Sequence, residues 1–181
     1  RSVIDAPDAP ETGTITTPLK GSIELENVNV VYGQIPVLKD ISFAVAAGSK
    51  TAIIGPTAAG KTQLLYLLTG LIKQSSGTIK YDDHTIDEYK QDVFHQQIGF
   101  VFQDSIIFNM SVRENIAFNE NVDEASMNKA IETAEIKQFI ETLPEKLDTI
   151  VSERGSSLSG GQKQRIMLAR ALAINPVILL L

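Results

Sequence analysis

Apolar residues in the first half of the chain follow mainly a two-residue period, and those in the second half a helical one. Ile23, Leu25, Val28, Val30 and Val31 alternate with polar neighbours, then Gly33-Gln34 supplies a turn, and Val37, Leu38 and the run 41–45 follow. This spacing predicts two or three short, mostly antiparallel strands. Residues 49–54 (SKTAII) read as a short buried strand. Residues 63–72 read as a helix with Leu64, Leu65, Leu67, Leu68, Leu71 and Ile72 nearly all round it. Such a helix is expected to be buried, each leucine contributing roughly 1.5–3 kcal/mol. Ser75-Ser76-Gly77 marks a turn, and 78–81 and 98–102 read as further strands.

After Gln103 the period changes to 3.6. Ser111 and Glu114 form a capping-box pair that opens a short helix. A longer helix is predicted over about 123–143, with Met127, Ala130, Ile131, Ala134, Phe139, Ile140 and Leu143 on one face and Pro144 ending it. Residues of about 105–150 thus form a helical insertion in an α/β core. Another helix spans 158–173, Asn175-Pro176 breaks it, and 177–181 begins a buried strand. At the other end, 1–20 carries Pro7, Pro10 and Pro18 among Thr, Asp and Ala, and reads as a tether with little core of its own.

With 181 residues the chain can form one domain with a sizeable core, or a core and a small subdomain. The net charge of -6 argues against wholesale binding to nucleic acid. Cysteine is absent, which excludes disulfides and thiolate metal sites and fits a reducing compartment. No run approaches the 18 or so apolar residues of a membrane span, so the chain is not expected to cross a membrane itself. A secretory signal is not apparent.

The most specific chemical signal is Gly55-Pro56-Thr57-Ala58-Ala59-Gly60-Lys61-Thr62, followed by Gln63. It fits G-x-x-x-x-G-K-[ST] between a predicted strand and a predicted helix, the context in which backbone N–H groups converge on phosphate. Its four fixed positions recur by chance in about one chain in a hundred of this length. Lys61 is expected to reach the β- and γ-phosphates of a nucleoside triphosphate, and Thr62 to offer its hydroxyl to Mg²⁺.

A second constellation, Leu158-Ser159-Gly160-Gly161-Gln162, opens the last full helix. Ser159 and Gln162 suit a capping box. Two glycines in a first turn are costly, roughly 0.8–1.0 kcal/mol each in a helix interior and less at its end. That cost makes sense where bare backbone must face an anion.

These motifs carry a resemblance. From about residue 21 to 181 the chain looks like the nucleotide-binding domain of an ATP-binding-cassette transporter, and LSGGQ matches the family signature in full. The resemblance implies an α/β fold: a P-loop NTPase (RecA-like) core with an N-terminal antiparallel β subdomain and an inserted α-helical subdomain of about 105–160. It implies ATP and Mg²⁺ as ligands, and a head-to-tail dimer with a second such domain. Ser159, Gly160, Gly161 and Gln162 would then face the nucleotide held by the partner's phosphate loop. Tyr32 resembles the aromatic that stacks on adenine, although a strand tyrosine filling the core is the rival reading. Gln103 resembles the glutamine that reaches Mg²⁺ and the attacking water, which would make it catalytic together with Lys61; otherwise it is an ordinary solvated residue.

The flanks are similar to the exporter type. Residues 105–116 resemble the region that receives a membrane domain, and Ser152-Glu153-Arg154-Gly155 resembles the exporters' pre-signature loop, with serine where glycine is usual. Residues 1–10 look like the end of a linker from an absent transmembrane domain. The implied role is an ATPase that powers export from the cytoplasmic face of a membrane. The Walker B aspartate, a catalytic glutamate and a switch histidine are expected only beyond Leu181. The domain therefore reads as truncated, with little hydrolysis expected of the fragment alone. His84 and His95 precede the signature and read as surface or turn residues. Three other readings stay open: a nonhydrolysing regulatory half of a heterodimer, a DNA-repair type ATPase, and an importer. The gap of 98 residues between Lys61 and Ser159 (159 − 61), free of sustained heptads, counts against the DNA-repair type.

Overall fold

The computed structural model describes residues 13–104, 106–118, 122–151 and 158–181. These fall into two compact units, 1–95 and 96–181.

In the first unit, β1 (Ile23–Tyr32), β2 (Ile35–Val45) and β3 (Ser76–Tyr81) form an antiparallel sheet in the order β2-β1-β3. The expected alternation holds along β1, where Ile23, Leu25, Val28 and Val30 are buried. Tyr32 pairs with Ile35 across a two-residue turn in which Gly33 takes a left-handed φ of 62°. The predicted turn at 75–77 is shifted: Ser76 and Gly77 already belong to β3. A side chain on Gly77 would meet the Asn27 carbonyl oxygen at 2.5 Å, where β1 carries an irregularity in register.

Helix α1 (Lys61–Leu68) buries Leu64, Leu67 and Leu68. It is shorter than the predicted 63–72, because a Schellman motif stops it. Gly70, with φ 78°, donates to the Leu67 oxygen at 3.1 Å, and Leu71 donates to the Tyr66 oxygen at 3.0 Å. Leu71 is consequently exposed. Residues 49–54, predicted as a buried strand, join no ladder among the described residues, and Ile54 is 92% exposed. Apolar β-branched residues favour a strand only where a neighbouring ladder pairs with them, and none in this unit does.

Beyond β3 the chain makes a 3-10 turn (Ile86–Glu88) and a short helix α2 (Gln91–His95). Phe94 sits edge-on against Tyr81 with centroids 4.9 Å apart. The Tyr81 hydroxyl donates to the Leu68 oxygen at 2.6 Å, and burial pushes that phenol up. His84 and His95 are exposed, as read from the sequence. Residues 13–20 are strapped to this unit: Thr14 and Ile15 both donate to the Glu88 oxygen at 3.0 Å, and Leu19 is buried. Residues 1–12, the rest of the predicted tether, lie outside the described residues.

In the second unit, β4 (Ile98–Phe100) and β5 (Ile178–Leu180) pair in parallel, Ile98 opposite Ile178. Around them lie α3 (Val112–Ile116), α4 (Glu124–Thr133), α5 (Lys137–Thr142) and α6 (Gly160–Ala173). Their core centres on Val112, Ile116, Met127, Ile131, Ile136 and Ile166. The single helix predicted over 123–143 is two. Glu135 takes a left-handed φ of 53° and donates to the Glu132 oxygen at 3.0 Å, while Ile136 donates to the Ile131 oxygen at 3.2 Å. This is again a Schellman stop, here without glycine, and it inserts Ile136 fully into the core.

Candidate functional site: a phosphate loop and an open helix tip

The phosphate loop and α1 lie in the first unit. Residues 55–59 are exposed, and Ala59 donates to the Pro56 oxygen at 3.3 Å. Gly60 is the helix N-cap at φ 85°; a side chain there would press Leu38 Cδ2 at 2.8 Å and the Val37 oxygen at 2.9 Å. Glycine is therefore required twice, by backbone conformation and by the close approach of β2. The Lys61 ammonium donates to the Gly55 and Pro56 oxygens, both at 2.7 Å, and so curls over the loop that precedes it.

The first intrahelical bond of α1 runs from Leu64 N–H to the Gly60 oxygen at 2.9 Å. The N–H groups of Lys61, Thr62 and Gln63 thus have no intrahelical acceptor. No side chain caps this end and no acidic residue lies in its first turn, which is true also of the shorter α5, whereas α3, α4 and α6 each have a side-chain cap. An uncapped N-terminus with a lysine beside it attracts an anion through its partial positive charge. The Thr62 hydroxyl, half-buried in this turn, is a hard oxygen of the kind Mg²⁺ accepts alongside phosphate oxygens.

Tyr32 ends β1 with 48% of its surface exposed, so the rival core reading does not hold. Its hydroxyl donates to the Gln63 side-chain oxygen at 3.1 Å. The contact ties an exposed aromatic ring to the first turn of α1.

The remaining predicted residues lie in the second unit. Gln103 is exposed shortly after β4. At the tip of α6, Ser159 and Gln162 complete the capping box. The Ser159 N–H donates to the Gln162 side-chain oxygen at 2.8 Å, and the Gln162 N–H donates to the Ser159 hydroxyl at 3.3 Å. Around a Cβ built on Gly160 or Gly161 there is open space to 4 Å among the described residues, and neither has a positive φ. Neither local packing nor backbone conformation calls for these two glycines. Ser105 and the pre-signature residues 152–155 lie outside the described residues.

One feature of this unit escaped the sequence reading. Phe108 and Phe118 stack with centroids 4.9 Å apart, and the Arg170 guanidinium lies over both rings. Burial pulls the Arg170 guanidinium down from its ordinary value, and no carboxylate pairs with it among the described residues. A lone arginine in the alanine-rich run MLARALA was the available signal.

A family model described as ABC transporter matches residues 38–181. The ATP-binding cassette sub-family B member 10, mitochondrial, of Mus musculus is 40% identical over 90% of this chain and 24% of its own length. The ATP-dependent lipid A-core flippase of Acinetobacter baylyi is 38% identical over 99% of this chain and 32% of its own. A solved bacterial Atm1-family ABC exporter with ATP bound superposes with a TM-score of 0.86 at 37% identity, over 97% of this chain and 31% of that one. The chain thus spans about a third or less of these relatives. The likeness carries the P-loop NTPase fold with its antiparallel sheet and helices. The chain belongs to the ABC transporter family, as a nucleotide-binding domain of the exporter type.

Proposed function

We propose that this domain binds MgATP at the phosphate loop and works as the ATP-hydrolysing motor of an exporter. The observation that carries the reading is the open end of α1: three N–H groups, no capping side chain, no acidic residue in the first turn and the Lys61 ammonium beside them. Lys61 exchanges its carbonyl partners for phosphate oxygens, and Tyr32, anchored through Gln63, offers its ring face to the base. By the resemblance to the family, Thr62 and Gln103 would each offer a side-chain oxygen to the metal, and Gln103 would orient water. When bound, Mg²⁺ supplies positive charge to the phosphoryl oxygens. Catalysis here rests on positioning and charge more than on covalent steps.

The tip of α6 is the complementary half. Gly160 and Gly161, with no neighbour at a Cβ among the described residues, leave backbone bare for the nucleotide held by a second copy or a related domain, which supports a head-to-tail dimer. The region 105–116 then contacts a membrane-spanning domain. Among the described residues no helix is long and apolar enough to cross a membrane. A cytoplasmic-face location follows from this reading. Titration with a fluorescent ATP analogue tests it: saturable, Mg²⁺-dependent binding that Lys61→Ala weakens at least tenfold is expected. Equal binding by the variant would refute it.

A further inference from the structure

Among the described residues, eight other than glycine have a left-handed φ, and Ala58, at 65°, is the one alanine. Five of the others are Asn27, Asp40, Asp82, Asp83 and Asn175, residue types whose short polar side chains ease that conformation by local hydrogen bonds. Alanine has no such group. Ala58 is also exposed, so burial of its methyl offsets nothing. Elsewhere in the unit, left-handed turns at positions 33, 48, 60, 70 and 77 fall on glycine.

The strained residue lies in the middle of the phosphate loop, two positions before the N-cap of α1. Reversal of the chain there lets Ala59 donate back to Pro56 and brings Gly60 onto α1 while Lys61 closes over Gly55 and Pro56. Strain of this kind clusters at active sites and ligand clamps; Glu135, at φ 53°, and Lys146, at φ 51°, are the other exposed left-handed residues without a short polar side chain, and they lie outside this loop.

We infer that Ala58 sets the affinity of the loop for phosphate, holding it below what the same loop with glycine would reach. The inference rests on the nucleotide-binding reading above. Loops with a negative φ at 58 compete with the left-handed one, and only the competent fraction binds. Glycine populates both signs of φ about equally, which raises that fraction; its greater freedom in the unbound loop offsets part of the gain. The net expectation is roughly fivefold tighter binding for Ala58→Gly. Because the effect acts through the phosphate cradle, the factor is the same for ATP, GTP, ADP and inorganic tripolyphosphate. Ala58→Val, β-branched at a left-handed φ, weakens all four roughly tenfold or more.

Isothermal titration of the protein and its variants with these four ligands decides the matter, with melting temperature recorded in parallel. Tighter binding by the glycine variant across all four supports the assignment. Unchanged or weaker binding overturns it, as does a gain confined to nucleotides that tripolyphosphate does not share, or a melting shift with no change in Kd. Wild-type protein that ignores ATP, or binds it independently of Lys61, instead refutes the nucleotide site itself, so the two failures are distinguishable.

Discussion

Arg170 grips Asn115 twice: its Nε donates to the Asn115 backbone oxygen at 2.6 Å, and its Nη2 to the side-chain Oδ1 at 2.9 Å. Asn115 is wholly buried. Its amide donates to the oxygens of Phe108 at 3.0 Å and Ser111 at 3.0 Å, and its Oδ1 accepts from the Phe108 N–H at 2.9 Å. One side chain therefore holds the turn from Phe108 into α3, while Arg170 fastens that turn to α6. A satisfied buried polar network rigidifies the chain around it.

Removing the centre of this network leaves several buried partners unmatched. Asn115→Ala is expected to destabilise the protein by about 3 kcal/mol, given about 1–3 kcal/mol for each stranded buried group. Arg170→Lys does not substitute, since an ammonium cannot reproduce the planar fork or lie flat on the Phe108–Phe118 pair. Urea denaturation measures both; a loss below about 0.5 kcal/mol for Asn115→Ala would show that water satisfies the same groups.

Gly60 fails differently. Gly60→Ala forces a methyl group against Leu38 and the Val37 oxygen and strains a φ of 85°. A loss of about 2 kcal/mol is expected, and nucleotide binding should fall at least tenfold because the N-cap of α1 moves. Circular dichroism melting and ATP titration check the two effects; retention of both would mean that β2 yields without consequence.

The glycines of the signature point the opposite way. Gly160→Ala or Gly161→Ala introduces a methyl into open space at a helical φ. Each should raise stability by roughly 0.5 kcal/mol, the lower end of the helical glycine penalty. The ATP-driven dimerisation proposed above should nevertheless fall, because the backbone at the helix tip is no longer bare. Chemical denaturation and sedimentation with ATP separate these results. Dimerisation unaffected by either methyl would leave the glycines without a ligand-facing role.

What the sequence displayed and what it hid differ by physical kind. The hairpin at Gly33 and the caps at Ser111 and Ser159 are local patterns, written within four residues, and the structure keeps them. The break at Glu135 was invisible because a left-handed C-terminal position usually announces itself with glycine; only the burial of Ile136 fixes it. The strand over 49–54 was overread because a hydrophobic run says that partners are wanted, not which ladder provides them. Arg170, Asn115 and Phe118 are brought together by tertiary packing across 55 positions, a distance that no periodicity encodes.

Acid should probe the fastening at the other end of the chain. Burial pushes the Asp82 carboxyl up, but hydrogen bonds from the Ser22, Lys20 and Gly21 N–H groups and the Ser22 hydroxyl outweigh it and hold it below the usual carboxylate range. A folded value below the unfolded one means the stabilisation is complete above the ordinary aspartate value of about 3.9 and is lost as pH falls through the folded value. Asp82→Asn keeps the left-handed backbone, which asparagine tolerates at φ 48°, yet loses the charge. Hydrogen bonds to a charged group contribute about 1.5–3 kcal/mol, and partial exposure of Asp82 reduces this to about 1 kcal/mol at pH 7. The stability gap between wild type and Asp82→Asn should therefore stay constant from pH 7 to about pH 5 and close toward pH 2–3. Urea titrations across that series measure it, and a gap independent of pH would mean that the Asp82 charge contributes nothing to anchoring residues 20–22.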